Sequence, residues 1–222
     1  MASQSAHQDH IVAETIACSR SHARISLSHQ QLIDHNMRFI AEQAIIQKQC
    51  TELDLGYNNI TAQGVSIITE ALCDSLTIQR LYLGGNEIAD NGVENLARSV
   101  TNSTLYVLGL SQNGITDVGA EHLGRMLEQN NRLTVLGLED NEIGDRGVEL
   151  LANALKYNNR LRRLLLAGNK MIRGTSVNAL LDMLQRNRSL KRLDLRRCRL
   201  SNLAITRLQA VVQRKEDFEL WY

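Results

Sequence analysis

The 222-residue chain contains no proline, and aromatic residues make up only 4% of it. With no proline and no Gly/Ser-rich or low-complexity stretch there is no flexible tether to place between domains, so one continuous domain is expected. No run of about 20 apolar residues occurs, and no basic segment leads into an apolar one near the start, so neither a membrane span nor a secretory signal is expected. Cysteine is scarce as well. The four thiols, Cys18, Cys50, Cys73 and Cys198, read as reduced packing residues, which places the chain in a reducing cytosol. Net charge is only +1, which argues against a chain built as a polycation for nucleic acid.

Signatures of catalysis are missing too. No G-x-S-x-G, H-E-x-x-H, C-x-x-C or G-x-x-x-x-G-K-[ST] occurs, so hydrolase, zinc and phosphate-loop chemistries lose their usual support. His7 and His10 have metal-like spacing but no Cys or carboxylate cluster beside them. Glu139, Asp140, Glu142 and Asp145 form an acidic turn that reads as solvated, with Asp145 serving as a helix cap. No metal and no cofactor is expected, and the chain is not expected to be an enzyme.

What is present is periodicity. The series Ile78, Leu81, Leu83, Asn86, Ile88, Gly92, Leu96 returns as Leu105, Leu108, Leu110, Asn113, Ile115, Gly119, Leu123, and again as Leu133, Leu136, Leu138, Asn141, Ile143, Gly147, Leu151. The Asn position extends outward through Gln30, Asn58, Asn86, Asn113, Asn141, Asn169 and Cys198, at steps of 27 to 29 residues. Seven units therefore cover residues 22 to 217. The first is degenerate, with His22, Gln30 and Asn36 in place of Leu, Asn and Gly, and the sixth carries an insertion around Lys170 and Met171. Phe218 and Trp221 read as the first strand of an eighth unit cut short, closing the core. The segment Ile11 to Cys18 reads as a capping helix after nine loose residues. The domain division expected is thus 1–21 for the loose N-terminus and capping helix and 22–222 for the repeats.

Within a unit, alternation around the paired leucines predicts a short strand, and apolar residues four and eight places beyond the Gly predict one buried helical stripe. Asp90, Asp117 and Asp145, two residues before the Gly, are placed to cap free N–H groups where the helix starts. The pattern L-x-x-L-x-L-x-x-N-x-I-x-x-x-G-x-x-x-L resembles the leucine-rich repeat, and the unit length with a full helix is similar to the ribonuclease-inhibitor-like class seen in NOD-like receptors and Ran GTPase-activating proteins. The resemblance implies an α/β solenoid with parallel strands on the concave face and helices on the convex face. It also implies that Asn58, Asn86, Asn113, Asn141 and Asn169, with Cys198 as the exception in type, form a hydrogen-bonded ladder in the turns. The Cys-rich caps of extracellular members are missing.

Such solenoids bind through the strand face, so the variable strand positions are the candidate site. The middle units offer a small apolar floor of Val107, Gly109, Val135, Gly137 and Leu165, bounded by Tyr57 and Tyr82 on one side and by Arg163 and Arg192 on the other. Glu139, Asp194 and Arg196 complete the candidate partner-binding set. Mid-strand glycine reads either as close approach by a partner's backbone or as crowding relieved on a curved sheet. Residues 1 to 111 carry a net −5 and residues 112 to 222 a net +6, so the solenoid is an electrical dipole. Its sharpest part is Arg186, Arg188, Lys191, Arg192, Arg196, Arg197 and Arg199, a patch suited to an acidic protein.

The expected function is a non-catalytic intracellular module that binds a protein partner, with no membrane and no nucleic acid involved. Three alternatives stand beside it. Short, capless arrays look like effectors that bacteria deliver into host cells, and Glu216, Asp217, Glu219, Leu220 and Trp221 are similar to some type IV translocation tails. The last strand leaves an unpaired edge, which allows monomer or weak self-association and a self-assembling structural role. Ran-type GTPase activation is the catalytic alternative, although those proteins have a longer array and a strongly acidic tail, and no functional position carries over. Ribonuclease inhibition fails for a related reason, since those inhibitors are longer and rich in Cys and Trp.

Overall fold

In a computed structural model, residues 2–101 and 103–222 are described, with side chains from Asp9 onward. Helix α1 (Ala2–Cys18) leads into eight parallel strands: β1 (Arg24–Ser26), β2 (Glu52–Asp54), β3 (Arg80–Tyr82), β4 (Val107–Gly109), β5 (Val135–Gly137), β6 (Arg163–Leu165), β7 (Arg192–Asp194) and β8 (Glu219–Trp221). Between them run α2 (Asp34–Ile40), continued by a π-helical stretch at Ala41–Gln47, then α3 (Ala62–Asp74), α4 (Ala89–Val100), α5 (Asp117–Gln129), α6 (Asp145–Leu155), α7 (Val177–Arg186) and α8 (Asn202–Val212). The strands form one open sheet in chain order, β1 to β8. Strands pair at about 4.8 Å whereas packed helices need about 8–10 Å. The sheet therefore takes the inside of the curve and the helices the outside.

One continuous core holds the array together. Each of β1 to β7 contributes its central Leu or Ile to it, from Ile25 and Leu53 through Leu108 and Leu136 to Leu193, all at 0–1% exposure. Burying such a side chain contributes about 1.5–3 kcal/mol. Val12 and Ile16 of α1 join this core at 1% and 2% exposure, so the first unit's open end is covered by a helix. That helix starts at Ala2, nine residues before the expected Ile11. Among the described residues no helix is long and apolar enough to cross a membrane.

The asparagine in each turn faces a problem every repeat shares, buried backbone groups that strand pairing leaves unsatisfied. Asn141 Oδ1 accepts from Asn113 N–H (2.8 Å) and Ile115 N–H (3.1 Å), and its Nδ2 donates to the Leu110 and Leu138 carbonyls. Asn58, Asn86, Asn113 and Asn169 make equivalent bonds, each joining its own turn to the one before. At Cys198 a thiol donates to the Leu166 carbonyl at 3.4 Å, and burial pushes its pKa up to about 11. A second ladder, not anticipated, runs along the helix-to-strand turns. Asn130, Asn158 and Asn187 donate back to Val100, Leu127 and Leu155 carbonyls and accept from Leu133, Leu161 and Leu190 N–H groups. Its signal was in the sequence, an Asn three residues before the first Leu of a unit. One step beyond Asn187 the ammonium of Lys215 ends the ladder on the Leu184 and Asn187 carbonyls, at 2.8 and 2.7 Å.

The helix-start aspartates act one repeat further along than expected. Asp90 accepts from Thr116 and Gly119 N–H, Asp117 from Gly144 and Gly147 N–H, and Asp145 from Gly174 and Ser176 N–H, in each case at the next unit's helix. Asp34 does the same for Thr61. This also explains the Gly of the motif. A Cβ on Gly119 would stand 2.5 Å from Asp90 Oδ1, and one on Gly147 2.6 Å from Asp117 Oδ1. In the sixth unit Ser176 replaces Gly, and its hydroxyl instead donates to Asp145 at 2.6 Å.

Candidate partner-binding face

Parallel register lines up the outward strand positions in two rows. Ser26, Asp54, Tyr82, Gly109, Gly137, Leu165, Asp194 and Trp221 form one row, and Arg24, Glu52, Arg80, Val107, Val135, Arg163, Arg192 and Glu219 form the other. The charges at both ends of the face are used internally. Arg24 reaches Glu52 (3.1 Å) and Asp54 (3.2 Å), and Arg80 reaches Glu52 (3.3 Å) while lying over the Tyr106 ring. At the other end the guanidinium groups of Arg192 and Arg196 lie over the Trp221 ring, 4.2 and 4.3 Å from its centroid. Arg192 also pairs with Glu219 and Arg196 with Asp194.

Three expected contact residues are therefore corrected. Asp194, expected on the open face, is 2% exposed, with its carboxylate held by Arg196. Arg192, expected as a free anchor, is committed to Trp221 and Glu219. Gly109 stays partly exposed and lines the trough described below, with the Tyr82 ring beside it: a Cβ there would lie 3.1 Å from Tyr82 Cδ1. Gly137, expected on the open floor, is buried and overlain by the Glu139 carboxylate, which accepts from the Ser111 hydroxyl at 2.9 Å. Arg163 is exposed and makes no ion pair among the described residues, and Val107, Val135 and Leu165 beside it are partly exposed.

The same leaning recurs along a third row. His29, Tyr57, Gly85, Gln112, Asp140, Gly168 and Arg197 occupy one position in successive turns, and all have positive φ, from 53° to 77°. The His29 and Tyr57 rings stack at 4.5 Å and 6°. Tyr57 then lies over Gly85, where a Cβ would be 2.6 Å from its ring. Asp140 lies over Gly168 and meets Arg197 beyond it at 2.9 Å. The acidic turn is thus engaged by Asp140 to Arg197 and by Asp145 to the next helix. His10 pairs with Glu14 at 3.5 Å, and the side chain of His7 lies outside the described residues. Among those residues, no group of three or more His, Cys, Asp or Glu is arranged to hold a metal.

Between the Tyr57 wall and the Asp54 and Tyr82 wall runs an open trough of about 450 Å³, floored by Gly56 and Gly84 and closed by Ser28, Arg24 and Ser111. The Tyr57 side is 53% exposed. Neither phenol hydroxyl has a hydrogen-bond partner among the described residues. Burial, then the charge of Glu52, pushes the Tyr82 pKa above its ordinary value. Gly56 and Gly84, the two residues that open this trough, were absent from the expected contact set. The G that follows L-x-L in the second and third units was the available signal.

A protein-family model described as "Leucine Rich repeat" matches residues 51–68, 74–97, 101–124, 129–152 and 186–205. These are leucine-rich repeats. The eight parallel strands alternating with eight helices make this leucine-rich repeat array an α/β solenoid. Among solved structures the array is similar to one titled "Leiomodin-1 Actin-Binding Site 2 (ABS2)", at 25% identity, over 68% of this chain and 87% of that one, with a TM-score of 0.48.

Proposed function

We propose that this leucine-rich repeat protein is a non-catalytic module that takes a segment of a protein partner on its strand face, with the contact centred on the Tyr57 and Tyr82 trough and continuing over Val107, Val135 and Leu165 to Arg163. The observation that carries the reading is the pair of tyrosines with unpartnered hydroxyls above a glycine floor. Tyrosine supplies apolar area and a donor with little side-chain entropy to lose, and it is over-represented among residues that dominate binding. The floor admits an extended segment because no side chain rises from Gly56 or Gly84. Charge pairs around the trough neutralise one another, so the favoured segment is apolar or aromatic there, with a carboxylate further along to meet Arg163.

Units of 27 to 29 residues that each hold a strand and a helix support membership of the ribonuclease-inhibitor-like class. Cys50, whose pKa burial pushes up to about 12, and the packed Cys198 suit a reducing, intracellular setting. Glu219 and Trp221, part of the tail resembling a delivery signal, form strand β8 and hold Arg192, so we assign that tail to the fold.

The test is capture from cell extract by the intact chain, by Tyr57→Ala/Tyr82→Ala, and by Arg163→Ala, with folding checked by circular dichroism. A partner lost from the first variant and weakened in the second is the expected result. Equal capture by all three sinks the strand-face reading.

A further inference from the structure

The helix-to-strand turns of the last units carry a second feature, on the rim and away from the strand face. Arg188, in the turn between α7 and β7, and Arg214 and Lys215, which follow α8, line a cavity of about 220 Å³ with Leu184, Gln185 and Val211. Lys215 is fixed there by its bonds to the Leu184 and Asn187 carbonyls, which use two of its three N–H donors. Arg188 and Arg214 are exposed, and among the described residues neither guanidinium has an ion pair or hydrogen bond. Lys191 stands close by, its ammonium 3.3 Å from the Glu216 carbonyl.

Neighbouring carboxylates do not balance this charge. Asp182 is taken by Lys156 and Arg186, Glu219 by Arg192 and Asp194 by Arg196. Glu216 and Asp217 are exposed and pair with none of the cluster among the described residues. The like charges are felt, since the Lys215 pKa is lowered by burial and then by Arg188 and Lys191. A cluster in which cations outnumber the carboxylates beside them, and pair with none of them, destabilises the free protein, and a bound anion relieves it.

We propose that this rim cavity is a second binding site, one that takes an acidic side chain of a protein partner, with its carboxylate between Arg188 and Arg214 and its methylene stem on Leu184 and Val211. An apolar floor beneath the cations suits Glu or Asp on a peptide better than a bare phosphate. No aromatic ring lines the cavity, so it lacks the platform on which single-stranded bases stack. The net −5 of residues 1 to 111 repels a long polyanion and leaves a short acidic stretch as the better fit.

Fluorescence anisotropy with the fluorescein-labelled peptide Gly-Ser-Glu-Glu-Leu-Glu-Gly-Ser tests this, against the same peptide with Gln for Glu and a labelled oligothymidylate. The intact chain is expected to bind the acidic peptide, and Arg188→Gln/Arg214→Gln to bind it at least about tenfold more weakly, as loss of charge-assisted contacts requires. Arg125→Gln/Arg146→Gln, with the same change of net charge on distant helices, should bind as the intact chain does. Tyr57→Ala/Tyr82→Ala should too, which separates this site from the strand face. The proposal is overturned by any of four results: no binding to the intact chain, equal binding by the Arg188/Arg214 variant, equal loss in the Arg125/Arg146 control, or tighter binding of the Gln peptide or the oligothymidylate.

Discussion

The side-chain amide of Asn141 makes four hydrogen bonds, accepting from Asn113 and Ile115 N–H and donating its two N–H groups to the Leu110 and Leu138 carbonyls, with the Glu139 carbonyl a further 3.4 Å contact. The residue is 7% exposed, so water cannot replace those bonds at little expense. Removing one partner of a buried hydrogen bond costs about 1–3 kcal/mol for each group left unsatisfied, and here several backbone groups lose theirs together. Asn141→Ala is therefore expected to lower unfolding stability by about 3 kcal/mol, with the local backbone recovering part of the loss by relaxation. Urea denaturation followed by far-UV circular dichroism measures it. A loss under about 1 kcal/mol would mean that strand pairing alone satisfies the turn.

At the scale of the element, each helix start is served by a carboxylate from the unit before it, and Asp145 is the case with a measurable titration. Burial opposes its ionised form, but bonds from the Ser176 hydroxyl, the Gly174 and Ser176 N–H groups and the Thr175 hydroxyl outweigh burial and hold its pKa down at about 2. A carboxyl whose pKa is depressed on folding adds stability above its unfolded value, near 4, and loses it as pH falls through the folded value. The contribution, discounted for the partial exposure of Asp145, is about 1 kcal/mol. The stability gap between the native chain and Asp145→Asn should accordingly be constant from neutral pH to about 4 and shrink between about 4 and 2. A gap that is unchanged at the lowest pH would mean that the carboxylate's charge does not serve α7. The periodic sequence showed that these aspartates sit where helices begin, but not which copy of the helix they serve, because positions one unit apart look alike. Gly109 carries the same lesson. Its place on the open face was legible, while the Tyr82 ring that stands beside it depends on a rotamer that periodicity does not specify. The trough was missed for that reason, since its walls are made by side chains leaning between units.

Over the whole molecule, a linear array shares one core yet each unit touches only its neighbours, so stability varies along its length. The start of the array is covered by α1, with Val12 and Ile16 at 1% and 2% exposure. At the other end β8 pairs only with β7 among the described residues, and Phe218 and Leu220 are only partly buried against the core. Strand β8 is held instead by its pairing with β7, by Arg192 to Glu219 and by the two guanidinium groups over Trp221, and the turn before it by Lys215 on the Leu184 and Asn187 carbonyls. Exposed ion pairs of this kind contribute about 0–1 kcal/mol, less than the buried leucines hold elsewhere. The chain has one tryptophan, and it lies in β8, so its fluorescence reports the last unit while circular dichroism reports the array. We expect the fluorescence transition in urea to come at lower concentration than the dichroism transition, and Lys215→Met to widen the separation by freeing the last strand further. Coincident transitions in both proteins would show that β8 unfolds only with the whole array, and that the partly open end is as firmly coupled as the middle.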